Sequence, residues 1–183
     1  MKPIICFDTA ISQDSVEHLL TYLRSANSSD TILIDSPGGT FDFFSVLGPA
    51  ISRLGVTTVA NRVYSAASIL FALGRERIVH PESEILFHEV RVMTLDGRHI
   101  TVGNADDLEA LHNDMRKRPT EEFEEWRRQM HNAQDWFIRF MARHTKCSAH
   151  RIRYFIEHDA VLTGEEAYRY GIATKYGNVH ILD

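Results

Sequence analysis

The sequence has few of the features that mark membrane, secreted or disulfide-bonded proteins. Only two cysteines, Cys6 and Cys147, occur among 183 residues, and they lie far apart in the chain. Such sparse use of cysteine is typical of a reducing compartment. No apolar run approaches the roughly 18 residues that a membrane-spanning helix needs, and the N-terminus lacks the long apolar segment of a signal peptide. We therefore expect a cytoplasmic protein that does not enter a membrane.

The sequence also lacks the marks of nucleic-acid-binding and metal-binding proteins. Its net charge is −5, and its only basic cluster, residues 116–118, is followed at once by glutamates. Ten histidines are present, but none has the H-E-x-x-H spacing of a metal site. We therefore expect no nucleic-acid partner, no metal and no cofactor.

What the sequence does contain is a regular alternation of strand and helix patterns over its first half. A buried helix is also predicted by the small apolar residues that follow Val63. Strand–helix–strand units of this kind favour an α/β fold with a largely parallel sheet. Because no repeat or linker interrupts the chain, we expect one domain over residues 1–183. The strand-like runs lie at 3–7, 31–35, 56–60, 78–79 and 85–87, and the helical patterns at about 12–23, 41–54 and 66–73.

The second half of the chain has a different character. Period-two alternation on both sides of Asp96-Gly97 predicts a β-hairpin. A long, charged helical pattern then runs over about 104–141, and Pro119 is expected to break or kink it. The tail predicts a short helix, a turn at Thr163-Gly164, another helix and a closing strand.

The turn that ends the second strand, Ser36-Pro37-Gly38-Gly39, is suited to hold an anion. Pro37 cannot continue a strand ladder because it has no N–H group. The two glycines leave the following amides unshielded, just before a helical pattern begins. Such amides stabilise negative charge, whether on a bound anion or developing during a reaction. The structural alternative is a tight strand-to-helix turn without a ligand.

Three polar side chains lie at boundaries between predicted elements, and each has a structural explanation of its own. Ser68 enters the buried small-residue helix, where its hydroxyl can bond back to a carbonyl of the preceding turn. His88 closes the strand E-I-L-F-H and can be a satisfied core residue. Asp159 precedes the turn before the last helix and can serve as a cap. Their common order along the chain favours a second interpretation, a serine, a histidine and a carboxylate acting together.

Four motifs in the same order resemble the proteolytic subunit of Clp-type proteases. They are I-D-S-P-G-G, A-A-S-I-L, E-I-L-F-H-E and D-A-V-L-T-G-E-E-A-Y-R-Y-G-I-A, and the similarity runs from about Ile4 to Ala173. The resemblance implies a crotonase-like core of stacked βαβ units that form a superhelix. It also implies that residues from about 90 to 146 form a projecting strand–helix handle arm that joins two rings.

The resemblance also implies roles for individual residues. Ser68 would be the nucleophile, His88 the general base and Asp159 the carboxylate that orients the imidazole. The oxyanion hole would be formed by the backbone N–H groups of Gly38 and Ile69, and whether the Gly38 or the Gly39 amide points inward stays open. Substrate would be bound by the backbone of a turn and a hairpin strand, at Gly39, Met93 and Thr94, the peptide adding as a strand.

These roles imply a serine endopeptidase that cleaves peptides or unfolded proteins inside a homo-oligomeric chamber. The short N-terminus has no counterpart of the family's axial loops before Pro3, which leaves open whether an AAA+ unfoldase assists it. Tyr64 and Ser65 stand where the family usually has glycine before its A-A-S-M motif, and Ile69 replaces the common methionine. Two alternatives share the fold, namely a crotonase-like acyl-CoA enzyme and a catalytically silent ring subunit.

Overall fold

A central, mostly parallel sheet carries the fold of the computed structural model, which describes residues 4–93, 99–101 and 120–177. The strands of this sheet are β1 (Ile4–Phe7), β2 (Thr31–Ser36), β3 (Thr57–Tyr64), β4 (Glu76–Leu86), β7 (Val161–Thr163) and β8 (Lys175–Tyr176). Strands β1, β2, β3 and β4 are parallel neighbours in chain order, and β7 and β8 both pair with β4 beyond them. A parallel sheet joined by helices is the α/β fold that the strand–helix alternation predicts, and the prediction is confirmed.

The helices between the first four strands begin and end close to their predicted positions. Ser12 caps the first helix in a capping box with Ser15, as its place before the helical pattern predicts. Gly55 ends the second helix in the left-handed conformation with φ 65°, which other residues rarely adopt. The third helix is fully buried. These helices are α1 (Gln13–Leu23), α2 (Phe44–Leu54) and α3 (Ala67–Ala72).

The two strands predicted at 78–79 and 85–87 are parts of one longer strand, β4, so that prediction was wrong. Val79 and Glu84 both pair with β3, but the ladder shifts register between them. Pro81 lies in this unpaired stretch, where its missing N–H group costs no ladder hydrogen bond. The Ser83 hydroxyl bridges the gap by donating to the carbonyl of Ala60 at 2.6 Å. The strand therefore bends without ending.

The predicted hairpin is present. Strand β5 (Arg91–Met93) pairs antiparallel with β6 (His99–Thr101), with Arg91 opposite Thr101 and Met93 opposite His99. Thr94 and the Asp96-Gly97 turn lie outside the described residues. This short two-stranded sheet follows directly on the end of the central sheet, because only four residues separate β4 from β5.

Helix α4 (Thr120–His144) begins directly after Pro119 and packs its C-terminal half on the central core. The buried side chains of that half are Phe137, Ile138 and Met141. Met130, nearer its N-terminus, packs with Val90 in a smaller apolar cluster. The predicted helical segment over 104–119 lies outside the described residues. The prediction that residues 90–146 project as a handle arm therefore stays a prediction.

The tail contains the predicted helices and one strand that the sequence pattern did not indicate. Helix α5 (Ala149–Glu157) is capped by Ser148, and helix α6 (Gly164–Arg169) is capped by Thr163 in a capping box with Glu166. The additional strand β7 has only three residues and runs antiparallel to β4. Among the helices of the described residues, none is long and apolar enough to cross a membrane.

Candidate active site

A cavity of about 800 Å³ opens where β2, β3 and β4 end, and it contains three of the predicted site residues. Gly38 and Gly39 line it from the turn after β2, and His88 lines it from the segment after β4. The carboxyl ends of neighbouring parallel strands meet at one edge of a sheet, which is why residues so distant in sequence converge here. Apolar residues also line the cavity, from the turn before α2, from the segment between β4 and β5 and from α4. They include Phe41, Val90, Trp126, Met130 and Ala133.

The Pro-Gly-Gly turn is packed so tightly that no side chain fits at its first glycine. Gly38 has φ 92°, and a Cβ atom placed there would lie 2.6 Å from the carbonyl oxygen of Tyr64 and 2.8 Å from the Cβ atom of Ser65. Gly39 has φ 145°, and a Cβ atom there would lie 2.2 Å from the carbonyl oxygen of Ile11. Glycine is therefore required at both positions by conformation and by space.

The amides of this turn differ in whether they are already hydrogen-bonded. The Gly38 N–H group donates to the hydroxyl of Ser36 at 3.2 Å, and the Thr40 N–H group donates to the carbonyl of Ile11 at 3.1 Å. Gly39 lies between them, is exposed at the cavity, and its N–H group has no acceptor among the described residues. Of the two glycine amides, that of Gly39 is thus the one without a hydrogen-bond acceptor among the described residues, and the sequence, which named Gly38, left open which of the two points inward.

Ser68 lies in the first turn of α3 and is fully buried. Its hydroxyl donates to the carbonyl of Ser65 at 2.6 Å, which is the back-bonding that its position in the sequence allows. The Ile69 N–H group donates to the carbonyl of Ala66 at 3.1 Å. In this single chain the predicted nucleophile and the second predicted oxyanion donor are both engaged by the turn that precedes them.

His88 is half-buried at the cavity wall, and its ring geometry suits a base. Its Nδ1 atom lies 2.5 Å from the carbonyl oxygen of Glu89. Since a carbonyl oxygen only accepts, the proton of the neutral ring belongs on Nδ1, which leaves Nε2 as the basic nitrogen. The backbone of the next residue therefore fixes the tautomer, a task that the sequence assigned to Asp159.

The segment that contains Asp159 lies against the end of β4, but the Asp159 side chain is paired with a residue other than His88. The Phe87 N–H group donates to the carbonyl of Ala160 at 3.0 Å, which holds the segment of Asp159 against the end of β4. The carboxylate of Asp159 accepts from Nη2 of Arg91 at 3.3 Å, and its side chain is 61% exposed. Its φ of 45° is unusual for a residue with a side chain, so its place in the fold is tightly determined.

The structure thus brings the segments of Ser68, His88 and Asp159 together without joining their side chains. The Ser65 N–H group donates to the carbonyl of Leu86 at 3.0 Å, which ties the turn before Ser68 to the strand before His88. Among the described residues, neither Ser68 nor Asp159 is hydrogen-bonded to His88. Of the predicted substrate-binding residues, Gly39 lines the cavity and Met93 lies in the adjacent strand β5.

An ion-pair network fixes the strand ends that carry the site. Arg62 donates to both carboxylate oxygens of Asp35, at 2.7 and 2.8 Å, which joins the end of β2 to β3. The hydrogen bond from Arg62 holds the pKa of Asp35 below its ordinary value. The Tyr64 hydroxyl donates to Glu84, which joins β3 to β4 and raises the pKa of Tyr64. The strand ends that lead to Gly38 and Ser65 are therefore cross-linked on one face.

Several polar residues that line the cavity were not identified from the sequence, among them Arg91 and Ser65. Ser65 was visible only as a departure from the family motif, and nothing in the sequence predicts its φ of 55°. Arg91 carried no signal at all, because its contact with Asp159 joins residues that are 68 positions apart.

Comparison with known proteins agrees with the resemblance seen in the motifs. The family model described as Clp protease matches residues 2–178. The chain is 30% identical over 179 residues to the ATP-dependent Clp protease proteolytic subunit 1 of Corynebacterium glutamicum, covering 92% of this chain and 76% of the relative. It is 30% identical over 171 residues to the protein of the same name from Thermobifida fusca, covering 90% of this chain and 68% of that one.

A relative named as a different subunit is similar over the same length. The chain is 28% identical over 179 residues to the ATP-dependent Clp protease proteolytic subunit 2 of Corynebacterium jeikeium, covering 92% of this chain and 76% of the relative. The α/β sheet with its βαβ connections agrees with the crotonase-like fold that the resemblance implied. The chain therefore belongs to the Clp protease family, whose members are peptide-bond hydrolases.

Proposed function

We propose that the protein is a serine endopeptidase that cleaves peptides or unfolded proteins, with Ser68 as nucleophile and His88 as general base. The observation that supports this most directly is the contact of His88 Nδ1 with the carbonyl oxygen of Glu89, which favours the tautomer with its proton on Nδ1. Its Nδ1–H group is held by the carbonyl of Glu89, and the ring lines a cavity that also receives the Gly39 amide. A base with a fixed tautomer beside an unpaired amide is the arrangement that acyl transfer from a peptide to a serine requires.

The reaction begins when the Ser68 hydroxyl turns from the carbonyl of Ser65 toward Nε2 of His88. The imidazole takes the hydroxyl proton as the serine oxygen attacks the peptide carbonyl, and it later gives that proton to the leaving amine. The acyl-enzyme is then hydrolysed by water in the reverse order of proton transfers. Asp159 stabilises the imidazolium when its carboxylate exchanges Arg91 for His88. Backbone hydrogen bonds from Ser65 to Leu86 and from Phe87 to Ala160 hold the three segments next to one another, which supports these changes.

The oxyanion of the tetrahedral intermediate lies at the Pro-Gly-Gly turn, with the Gly39 amide as donor in place of Gly38. Gly38 instead has a positioning role, because its N–H group bonds Ser36 and its missing Cβ lets Ser65 approach. The Ile69 amide contributes only when it leaves the carbonyl of Ala66. One preorganised donor in an oxyanion hole typically increases kcat by a factor of about 10²–10³.

The apolar half of the cavity selects the substrate side chain next to the scissile bond. Phe41, Val90 and Met130 offer a wall without charge that suits a bulky apolar group. The substrate backbone adds as a strand beside β5, which contains Met93, whereas Thr94 lies outside the described residues. Together these contacts favour cleavage after large apolar residues.

The active protein is a homo-oligomer that encloses the cavities in a chamber. Support comes from the family, and from relatives whose names describe proteolytic subunits of ATP-dependent proteases. An AAA+ unfoldase partner is the corresponding proposal for folded substrates, while peptides need none. The family assignment favours this peptidase over a crotonase-like acyl-CoA enzyme.

A fluorophosphonate probe tests the proposal, because it reacts covalently with an activated serine. Wild-type protein and Ser68→Ala are incubated with the probe and with a fluorogenic peptide, and native mass is measured on the same samples. We expect labelling and hydrolysis by the wild type, and neither by Ser68→Ala at unchanged native mass. Ser29→Ala, which changes an exposed serine in a turn that does not line this cavity, is the matched control and should behave as wild type. Equal labelling of Ser68→Ala would overturn the assignment.

A further inference from the structure

The segment between β4 and β5 contains His88, and helix α4 holds the backbone of this segment. The Val90 N–H group donates to Oε1 of Gln134 at 3.2 Å. The side chain of Val90 packs with Met130. Because Met130 and Gln134 are four positions apart on α4, they are neighbours on one face of the helix. This face therefore holds both the backbone and the side chain of Val90.

The peptide group that Gln134 holds is also the one that contacts the proposed base. Glu89 contributes the carbonyl of this group, and Val90 contributes its N–H. The carbonyl oxygen lies 2.5 Å from Nδ1 of His88, and the N–H donates to Gln134. The C=O and N–H of a trans peptide group point in opposite directions from one plane. His88 and Gln134 are thus bound on opposite sides of a single rigid unit, and its rotation would change both contacts together.

The acceptor oxygen of Gln134 matters because the Val90 amide is removed from water. Val90 is only 8% exposed, and a buried N–H group without an acceptor is costly. If the acceptor were lost, rotation of the peptide group toward another partner would turn the Glu89 carbonyl away from His88. A hydrogen bond at the N–H also polarises the C=O of the same group. Gln134 therefore influences both the direction and the strength of the contact with the imidazole.

The orientation of the imidazole is what a general base needs most. Its Nε2 atom has to meet the serine hydroxyl, and a misplacement of about 1 Å at such a centre can cost about 10²-fold in rate. In the proposed mechanism, Asp159 reaches the ring only when its carboxylate leaves Arg91. Until that exchange, the carbonyl of Glu89 orients the ring.

We propose that Gln134 is a positioning residue for His88, acting through the peptide group between Glu89 and Val90. The assignment rests on the proposed peptidase function and adds a residue of α4 to it. Gln134 is not among the residues that line the cavity, so its effect reaches the reaction through this peptide group. Its amide oxygen accepts the same hydrogen bond throughout, and no bond of Gln134 is made or broken.

The test separates the acceptor oxygen of Gln134 from the rest of its side chain. Gln134→Met keeps the length of the side chain without the acceptor, whereas Gln134→Glu keeps an acceptor oxygen. Gln13→Met makes the same change at an exposed position of α1 and is the matched control. Peptide hydrolysis, fluorophosphonate labelling of Ser68 and native mass are measured for each variant.

The expected pattern is a loss that the conservative variant rescues. Gln134→Met should lower kcat and the labelling rate by about 10- to 100-fold, with KM within a few-fold of wild type. Gln134→Glu should remain within about three-fold of wild type, because the Val90 N–H keeps its acceptor. Gln13→Met should behave as wild type. Gln134→Ala leaves space for water at the Val90 amide and should show the same loss as methionine, so the test stands if methionine impairs folding.

A double variant distinguishes positioning of the base from support of the fold. Gln134→Met is combined with His88→Ala, and labelling of Ser68 is compared with that of His88→Ala alone. If Gln134 acts through His88, the methionine has little further effect once the imidazole is gone. Loss by the same factor in both backgrounds would assign Gln134 a purely structural role and overturn the proposal.

Three further outcomes would also overturn it. They are wild-type kcat and labelling in the methionine and alanine variants, an equal loss in Gln134→Met and Gln134→Glu, and a change confined to KM. Failure of the peptidase proposal itself looks different, since Ser68→Ala would then keep its activity or labelling whatever the Gln134 variants do.

Discussion

Replacing Gly38 with alanine tests whether the Pro-Gly-Gly turn and the Ser65 turn form one tightly packed unit. The added Cβ would lie 2.6 Å from the carbonyl oxygen of Tyr64, 2.8 Å from the Cβ of Ser65 and 3.1 Å from the amide nitrogen of Ala66. All three are backbone or Cβ atoms, which cannot move aside as the tip of a flexible side chain can. The φ of 92° adds conformational strain for any residue with a Cβ.

Both effects can be given a size. Conformational strain costs about 1–3 kcal/mol, and overpacking adds about 1–3 kcal/mol. The sum is about 4 kcal/mol, a large share of the roughly 5–15 kcal/mol that stabilises a typical domain. For a chain of 183 residues this corresponds to a fall in melting temperature of about 8–16 °C.

Gly48→Ala is the matched control, because it makes the same chemical change inside helix α2. A Cβ there would meet only the Cδ2 atom of Leu73 at 3.8 Å, an ordinary contact. Alanine in a helix interior is expected to raise stability by about 0.5–1 kcal/mol. Thermal unfolding followed by circular dichroism, at one protein concentration, compares the two variants. If Gly38→Ala melts within 2–3 °C of the control, roughly the shift that 1 kcal/mol produces, the tight packing described for this turn is incorrect.

Three further predictions concern charge, thiol access and specificity. Arg62→Gln should raise the pKa of Asp35 toward its ordinary value, and NMR titration of the carboxyl group measures this change. Because the pKa of Asp35 is lowered in the folded protein, its pair with Arg62 stabilises the fold at neutral pH. This stabilisation is lost as the pH falls through the pKa of Asp35 in the folded protein. The exposed Cys6 should react with a thiol reagent well before Cys147, because Cys147 is buried and burial raises the pKa of its thiol. Equal reaction rates of the two cysteines would contradict this prediction. Met130→Lys should lower kcat/KM for peptides cleaved after bulky apolar residues by 10-fold or more, on the order of 1–3 kcal/mol. An unchanged preference for bulky apolar residues would show that Met130 does not contact the substrate side chain.

Much of the fold could be predicted because local signals and tertiary packing agree. Ser12 is both a good cap and the observed cap, and Gly55 takes the left-handed conformation that its place after a helical pattern predicts. The hairpin pairing of β5 with β6 follows from alternation around a two-residue turn signal. In each case a few neighbouring residues contain the information.

The misjudged elements depend on contacts between distant residues. The two short apolar runs at 78–79 and 85–87 belong to one strand, because the β3–β4 ladder continues past Pro81 through a register shift that Ser83 bridges. Strand β7 has three residues, too few for a periodic pattern, and it exists because it pairs with the end of β4. Local sequence cannot reveal either.

At the site, residue types were easier to predict than their arrangement. The motifs identify Ser68, His88 and Asp159, and the fold places their segments side by side. They do not reveal that Asp159 pairs with Arg91, since the partner is distant in sequence. Nor do they distinguish Gly39 from Gly38, because the two glycines are equivalent until the hydrogen bond from Gly38 to Ser36 is seen.

The site of covalent modification tests the central claim most directly. Wild-type oligomer is reacted with a fluorophosphonate, digested, and the adduct located by mass spectrometry, with His88→Ala treated in parallel. The mechanism predicts one adduct, on Ser68, and a labelling rate that falls on the order of 10³-fold or more when the base is removed. An adduct on any other residue, or labelling of Ser68 that does not depend on His88, would contradict it.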